Sequence, residues 1–245
     1  MGINYCGKTD IGLKRATNQD CFRAELLDEN MLLMLVCDGM GGAAGGSEAS
    51  SLAADTFVKY VKLHIESSKK NEYLKMLEEA LKEANAAVHE KSKSEDELEG
   101  MGTTLVCALY DSESYYCLWV GDSRIYAVTK NGIDQISHDH SFVQSLIDNG
   151  SITKDEAKNH PNRNIITKAV GTDSTVQPDV AKMNADNFLG ILLCSDGLCG
   201  YVAEDVINSV CAESIEVAEC CEKLVNLANE AGGLDNITVV IHKKQ

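Results

Sequence analysis

The chain has 245 residues, 44% of them hydrophobic, 24% charged and 5% aromatic; that length suits one large domain whose core needs no disulfide or metal staple. Its 22 Lys and Arg against 38 Asp and Glu leave a formal charge of −16. Such a body repels a phosphate backbone and anionic lipid alike, so neither nucleic acid nor a membrane surface is an expected partner.

The longest apolar stretches, 31–37 and 191–194 with their neighbours, fall far short of the ~20 residues of a membrane-spanning helix. The first ten residues include Lys8 and Asp10 and hold no signal-peptide core. Gly2 invites a myristoylation reading, but Cys6 stands where that signal wants Ser or Thr. The expectation is a cytoplasmic protein, monomeric by default. The 10 cysteines form no C-x-x-C. Those at 37, 107, 117 and 194 sit inside apolar runs, where cysteine acts as a small buried hydrophobe. Cys194 and Cys199 lack the paired partners of a zinc site.

In chain order, strands are expected at 21–26 and 31–37, then helices at 46–67 and 72–91, the second with an apolar stripe through Leu74, Leu77, Leu81, Ala84 and Val88. Strands follow at 104–110 and 115–120, joined by a turn at 111–114. Another runs over 124–129 and ends in a turn at 130–132. Two short helices, 140–149 and 154–160, flank Gly150-Ser151, the second opened by a Thr153/Glu156 capping box. A helix-turn-helix reading of this pair is disfavoured by its lack of excess positive charge; an insertion over the rest of the fold is expected instead. A strand at 189–194, helices at 203–211 and 215–231, and a strand at 237–242 complete the chain. Strands and helices come in blocks, not in strict alternation, which points to α+β with helices covering antiparallel sheets.

Four aspartates share one arrangement, an apolar strand meeting a tight turn: Asp38 before Gly39, Asp122 after Gly121, Asp196 before Gly197, and Asp235 ahead of the last strand. If two sheets face each other, these strand ends can converge on one edge. Clustered carboxylates must take up protons or bind cations, because two unit charges 4 Å apart repel by about 4 kcal/mol at an effective dielectric near 20. All-oxygen donors select hard ions, Mg²⁺, Mn²⁺ or Ca²⁺, and no EF-hand pattern is present. Two such ions sharing one Asp can sharpen a water into a nucleophile.

The run after Asp38 loosely fits the dinucleotide fingerprint G-x-G-x-x-A. Asp38 itself would repel a pyrophosphate, no βαβ run follows, and Asp55 lies short of the ribose-binding offset. The glycines more plausibly turn the Gly39 carbonyl toward a metal bound by Asp38. Arg15, five residues before Asp20, is a guanidinium suited to a phosphate dianion.

With these residues assembled, the sequence resembles the metal-dependent protein serine/threonine phosphatases of the type 2C family, of the compact bacterial kind. Eight motifs stand in the family's order: RATNQD at 15–20, VCDGMGG at 36–42, MGTT at 101–104, VGDSR at 120–124, HDHS at 138–141, GTD at 171–173, CSDGL at 194–198 and DNITV at 235–239. The resemblance implies a four-layer α-β-β-α sandwich, two antiparallel sheets flanked by helix pairs, as one catalytic domain over 1–245 with a flap at about 137–183. It implies a centre of two Mn²⁺ or Mg²⁺ ions, with Asp38 bridging and the Gly39 carbonyl on one. Asp196 and Asp235 would complete the other, Asp20 would act through a coordinated water, and Asp122 would serve a possible third ion. Arg15 would bind the substrate phosphate. The implied reaction is hydrolysis of phosphoserine and phosphothreonine in proteins by direct attack of a hydroxide held between the metals, without a phosphoenzyme. Phosphoproteins are then the partners, with a cognate serine/threonine kinase as the opposing enzyme.

Two departures stand out. Gln19 replaces the Glu of many members, and Met40 replaces the His proposed as general acid in eukaryotic ones. Methionine cannot donate a proton; His138 and His140 are available in the flap, though such histidines more often pack or cap. Alternatives are a phosphatase of small phosphoesters and a non-catalytic phosphoprotein-binding regulator of the same fold; Asp38, Asp196 and Asp235 are all retained.

Overall fold

The computed structural model describes residues 2–130 and 132–244, and only the backbone of Ala43 and Ala44. Asn131, in the turn expected at 130–132, lies outside the described residues. In chain order the strands and α-helices are β1 (Asn4–Asp10), β2 (Asp20–Asp28), β3 (Met31–Met40), α1 (Gly42–His64), α2 (Tyr73–Ser94), β4 (Gly102–Thr103), β5 (Leu105–Tyr110), β6 (Ser114–Val120), β7 (Arg124–Thr129), β8 (Gly132–Gln135), α3 (Phe142–Asp148), α4 (Lys154–Lys158), β9 (Asp179–Asn184), β10 (Gly190–Cys194), α5 (Asp196–Cys199), α6 (Glu204–Ala212), α7 (Val217–Glu230) and β11 (Ile237–Lys243).

One sheet runs β1-β11-β10-β7-β8; the other runs β2-β3-β5-β6-β9, with β4 paired to β3. Every pairing is antiparallel. The sheets pack face to face through alternate residues of their central strands, Leu32, Met34 and Val36 meeting Ile191, Leu193 and Val240. The opposite faces are covered by helices. Ala49, Ala53, Phe57 and Val61 of α1 recur every fourth residue and pack with Leu77, Leu81, Ala84 and Val88 of α2 on Leu33 and Leu35. On the other side Cys220, Leu224 and Ala228 of α7, with Ile207 and Val210 of α6, cover Leu192, Val239 and Ile241. This is the four-layer α-β-β-α sandwich. Among the described residues no helix is long and apolar enough to cross a membrane.

The expected elements are present with modest shifts. Helix α1 starts at Gly42, four residues before the expected 46, because Gly41 takes φ +125° and folds the chain directly from strand into helix. A Cβ on Gly39 would lie 2.0 Å from the carbonyl oxygen of Gly46; only glycine lets the first turn of α1 pack this closely on the end of β3. The Thr153/Glu156 capping box is formed. Strands β1, β4, β8 and β9 and the short α5 are not among the expected elements, and β9 claims the last part of the stretch assigned to the flap, pairing with β6 from Asp179 to Asn184.

Antiparallel pairing decides where the aspartates fall. The start of β2 lies opposite the end of β3, with Asp20 directly across from Asp38. The end of β10 lies beside the start of β11, Cys194 facing Val239. The ends of β3, β6 and β10 and the starts of β2 and β11 therefore share one rim of the sandwich.

Candidate metal centre

Buried hydroxyls and amides, not the carboxylates themselves, fix this rim. Asp38 closes β3 and its backbone is gripped by two threonines. Its N–H donates to Thr104 Oγ1 at 2.9 Å, its carbonyl accepts from Thr104 N–H at 2.8 Å and from Thr103 Oγ1 at 2.9 Å. Thr104 Oγ1 is linked in turn to Ser123 Oγ at 2.7 Å, next to Asp122. Ser195, just before Asp196, donates through Oγ to Asp20 Oδ2 at 2.7 Å and accepts the Thr238 N–H at 3.0 Å, joining the two sheets. Asn236, beside Asp235, donates to the carbonyls of Ile11 and Thr17 and accepts the Gln19 N–H at 2.8 Å.

A cavity of about 390 Å³ opens here, lined by Arg15, Gln19, Asp38, Gly39, Met40, Asp122, Asp196 and Asp235 among others. Asp20, opposite Asp38 in the ladder, is not part of the lining. Asp38, Asp122, Asp196 and Asp235 share this lining, a gathering of like charges that requires a shared proton or a cation. Burial, reinforced by Asp20, Asp196, Asp122 and Asp235, drives the Asp38 carboxyl well above the ordinary carboxylate range. Burial raises Asp20 to about 7 despite the Ser195 hydroxyl, and burial followed by the nearby Asp235 raises Asp196 to about 6. Asp122 is likewise held well up by burial and then by Asp196.

Two of these oxygens, Asp20 Oδ1 and Asp196 Oδ1, are buried and accept no hydrogen bond. A buried, unpartnered carboxylate oxygen is costly unless a cation or a proton satisfies it. Four carboxylates in the lining with Asp20 close to Asp38, two orphaned oxygens, and no histidine or cysteine in the lining fit hard divalent ions such as Mn²⁺ or Mg²⁺. The convergence is loose: among the described residues no three acidic, histidine or cysteine side chains are drawn into closed coordination geometry.

The structure thus brings Asp38, Gly39, Asp122, Asp196 and Asp235 to one cavity, with Asp20 held outside the lining by its bond from Ser195 and its pairing with Asp38. Arg15 is also at the mouth, where it donates to Asp235 Oδ2 at 2.7 Å with about half its side chain exposed. The flap histidines are not at the cavity. His138 pairs with Asp148 at 2.8 Å; His140 is buried and accepts the Gly121 N–H on Nδ1 at 3.1 Å. His138 is exposed and ion-pairs at the surface, whereas His140 packs. A larger hollow of about 510 Å³, bordered by Asp134, Glu204 and Asp205, has only exposed acids and none of this convergence. Sequence reasoning did not single out Ser195, Thr104 or Asn236 as site residues. For Ser195 and Asn236 the signal is a polar residue immediately beside a strand-end Asp; Thr104 has no aspartate neighbour and carries no such signal.

The protein phosphatase 2C family pattern matches residues 13–233. The chain is 36% identical to protein phosphatase PhpP of Streptococcus pneumoniae over 95% of its length and 94% of the relative's. The crystal structure of serine/threonine phosphatase Stp1 from Staphylococcus aureus superposes with a TM-score of 0.92 at 33% identity, covering 100% of this chain and 96% of that one. The catalytic domain of the serine/threonine protein phosphatase PstP in complex with two manganese ions superposes with a TM-score of 0.85 at 33% identity, covering 98% and 97%. With motifs, fold and strand-end carboxylates in agreement, the chain belongs to the protein phosphatase 2C family, among its bacterial serine/threonine phosphatases.

Proposed function

We propose that the chain hydrolyses phosphoserine and phosphothreonine in proteins at a centre of two divalent cations, with Asp38, the Gly39 carbonyl, Asp196 and Asp235 as ligands. The observation that carries this reading is the convergence of Asp38, Asp122, Asp196 and Asp235 on one cavity, with buried, unpartnered oxygens on Asp20 and Asp196. Bound there, Mn²⁺ or Mg²⁺ supplies Lewis acidity toward phosphoryl oxygens and acidifies water.

The chain's own residues do the rest. Asp38, opposite Asp20 in the ladder and in one lining with Asp196 and Asp235, is the carboxylate that would hold both ions. Asp20 would orient a coordinated water through its unpartnered Oδ1, and Asp122, also in the lining, would serve a third and looser position. Arg15 exchanges Asp235 for the phosphate dianion, which it can grip through paired N–H donors. Catalysis is then positioning and charge stabilisation. Met40 lines the cavity with no proton to give, so the departing serine or threonine oxygen is protonated from water.

The stretch 137–183 forms one wall through Asn164 and Ile166 and tunes access as a flap of the same domain. Phosphorylated proteins are the substrates, and a serine/threonine kinase is the opposing enzyme. Ten unpaired cysteines suit a reducing cytoplasm, and the protein acts there as a monomer. The test is hydrolysis of phosphoserine, phosphothreonine and phosphotyrosine peptides with Mn²⁺, Mg²⁺ or EDTA. Ion-dependent release from the first two supports the reading. Release that survives EDTA, or turnover of small phosphoesters alone, contradicts it.

A further inference from the structure

Nine large hydrophobic side chains of the described residues are exposed. Four of them adjoin residues that line the carboxylate cavity: Leu13 two residues before Arg15, Leu234 next to Asp235, Ile11 through its carbonyl, which accepts from Asn236, and Ile165 between Asn164 and Ile166. Exposed apolar residues scattered singly need no explanation; several beside a catalytic cavity do.

The first three sit on two loops locked together. The N–H groups of Leu13 and Lys14 both donate to the Gly233 carbonyl, at 2.7 and 3.1 Å. Leu13 lies so close over Gly233 that a Cβ there would stand 2.7 Å from its Cγ. Leu13 nevertheless leaves 66% of its surface in water, and Leu234 45%. The shelf continues into the cavity through the ion pair of Arg15 with Asp235, next in sequence to Leu234.

We propose that this aliphatic shelf is a specificity subsite for an apolar side chain flanking the phosphorylated serine or threonine of the substrate. This rests on the protein-phosphatase reading above. An extended peptide advances about 3.3–3.6 Å per residue, and Leu13 is two residues from Arg15. A side chain one to three positions from the phosphorylated residue therefore falls on the shelf while Arg15 holds the phosphate. Exposed Lys14 and half-exposed Arg15 are the cations between them, on a chain that is otherwise strongly acidic. Three side chains fall well short of the roughly 800 Å² per partner that a stable dimer buries, so a second copy is the weaker occupant. Binding energy gained here, away from the reacting bond, is read chiefly as a lower KM.

The test compares two phosphothreonine peptides, identical except for leucine or serine at the positions flanking the phosphorylated residue, with an aryl phosphate as control. The wild type is expected to favour the leucine peptide by about five-fold in kcat/KM, mostly through KM. In the Leu13→Ser, Leu234→Ser double variant the ratio falls to about one, and in Leu13→Met it is kept. Because the ratio is taken within each enzyme, a general loss of turnover cancels. Should the double variant fail to fold, the wild-type ratio and that of Leu13→Ser alone decide. A wild-type ratio near one, with both peptides hydrolysed, overturns the subsite but not the function. Hydrolysis of the aryl phosphate with no peptide turnover overturns the protein-phosphatase reading. A concentration-dependent dimer lost in the double variant, with a ratio of one, assigns the shelf to self-association instead.

Discussion

The strand-end rim and the flap border the same cavity but are held by different means. In the rim the residues that position carboxylates are themselves buried and bonded: Thr104 to Ser123, Ser195 to Asp20 and Thr238, Asn236 to three backbone groups. In the flap, α3 buries no residue and α4 buries only Ala157. The bonds within these two helices are largely local caps such as Ser141 to Gln144 and Thr153 to Glu156. Charges brought together against their own repulsion need a stiff frame, whereas a wall that admits varied protein substrates is better built from weakly buried turns.

The comparison breaks most sharply at Asp38. Asp38→Asn is expected to cost ion-dependent phosphopeptide turnover on the order of 10³-fold or more. The same variant is expected to melt higher than the wild type in EDTA, since one member of a repelling cluster is gone. Calorimetry and a phosphate-release assay read both effects, and an unchanged turnover would dissolve the rim's role. Next in size is the frame. Thr104→Val removes the acceptor for the Asp38 N–H and the link to Ser123. A loss of about 10- to 100-fold in Mn²⁺ affinity is expected by titration.

The third expectation concerns pH. Asp20 and Asp196 are raised in the folded protein to about 7 and about 6 from an ordinary 3.8. The folded state then holds more protons than the unfolded one, so this contribution to stability is full below about pH 4 and is lost as pH rises through 6 to 7. Ion-free protein should lose on the order of 10 °C in Tm from pH 5 to pH 8. Mn²⁺ should restore most of it at pH 8 and little at pH 5, because binding needs the deprotonated carboxylates. A flat Tm profile in EDTA would count against the cluster. The smallest effect belongs to the flap. Thr153→Ala removes the α4 cap and should cost about 1 kcal/mol or less of local stability by hydrogen exchange, with Mn²⁺ affinity unchanged.

What could be read from the chain alone follows the same division. Strands β3, β5, β6, β7, β10 and β11 are apolar runs because both faces of the central strands are covered. Edge strands β1 and β8 carry Gly, Lys, Asp and Gln and expose or half-expose their residues, so they lack that signal. In β9 burial alternates between half-buried and exposed, too weak a contrast to stand out. Asp38, Asp122, Asp196 and Asp235 were legible because each ends or precedes a strand. Their meeting depended on register, Asp20 against Asp38 and Cys194 against Val239, which no local pattern encodes. The pairing of Arg15 with Asp235, 220 residues away, and the bonds of Ser195 and Asn236 belong to that long-range class. The shelf at Leu13 and Leu234 was invisible because an exposed leucine reads in sequence as a buried one.

Anomalous diffraction from crystals soaked in Mn²⁺ tests the central claim most directly. The account requires two manganese peaks inside the cavity, both adjoining Asp38, with Asp196 and Asp235 beside them. A cavity free of manganese, or peaks bound only at the exposed acids elsewhere on the surface, would contradict it.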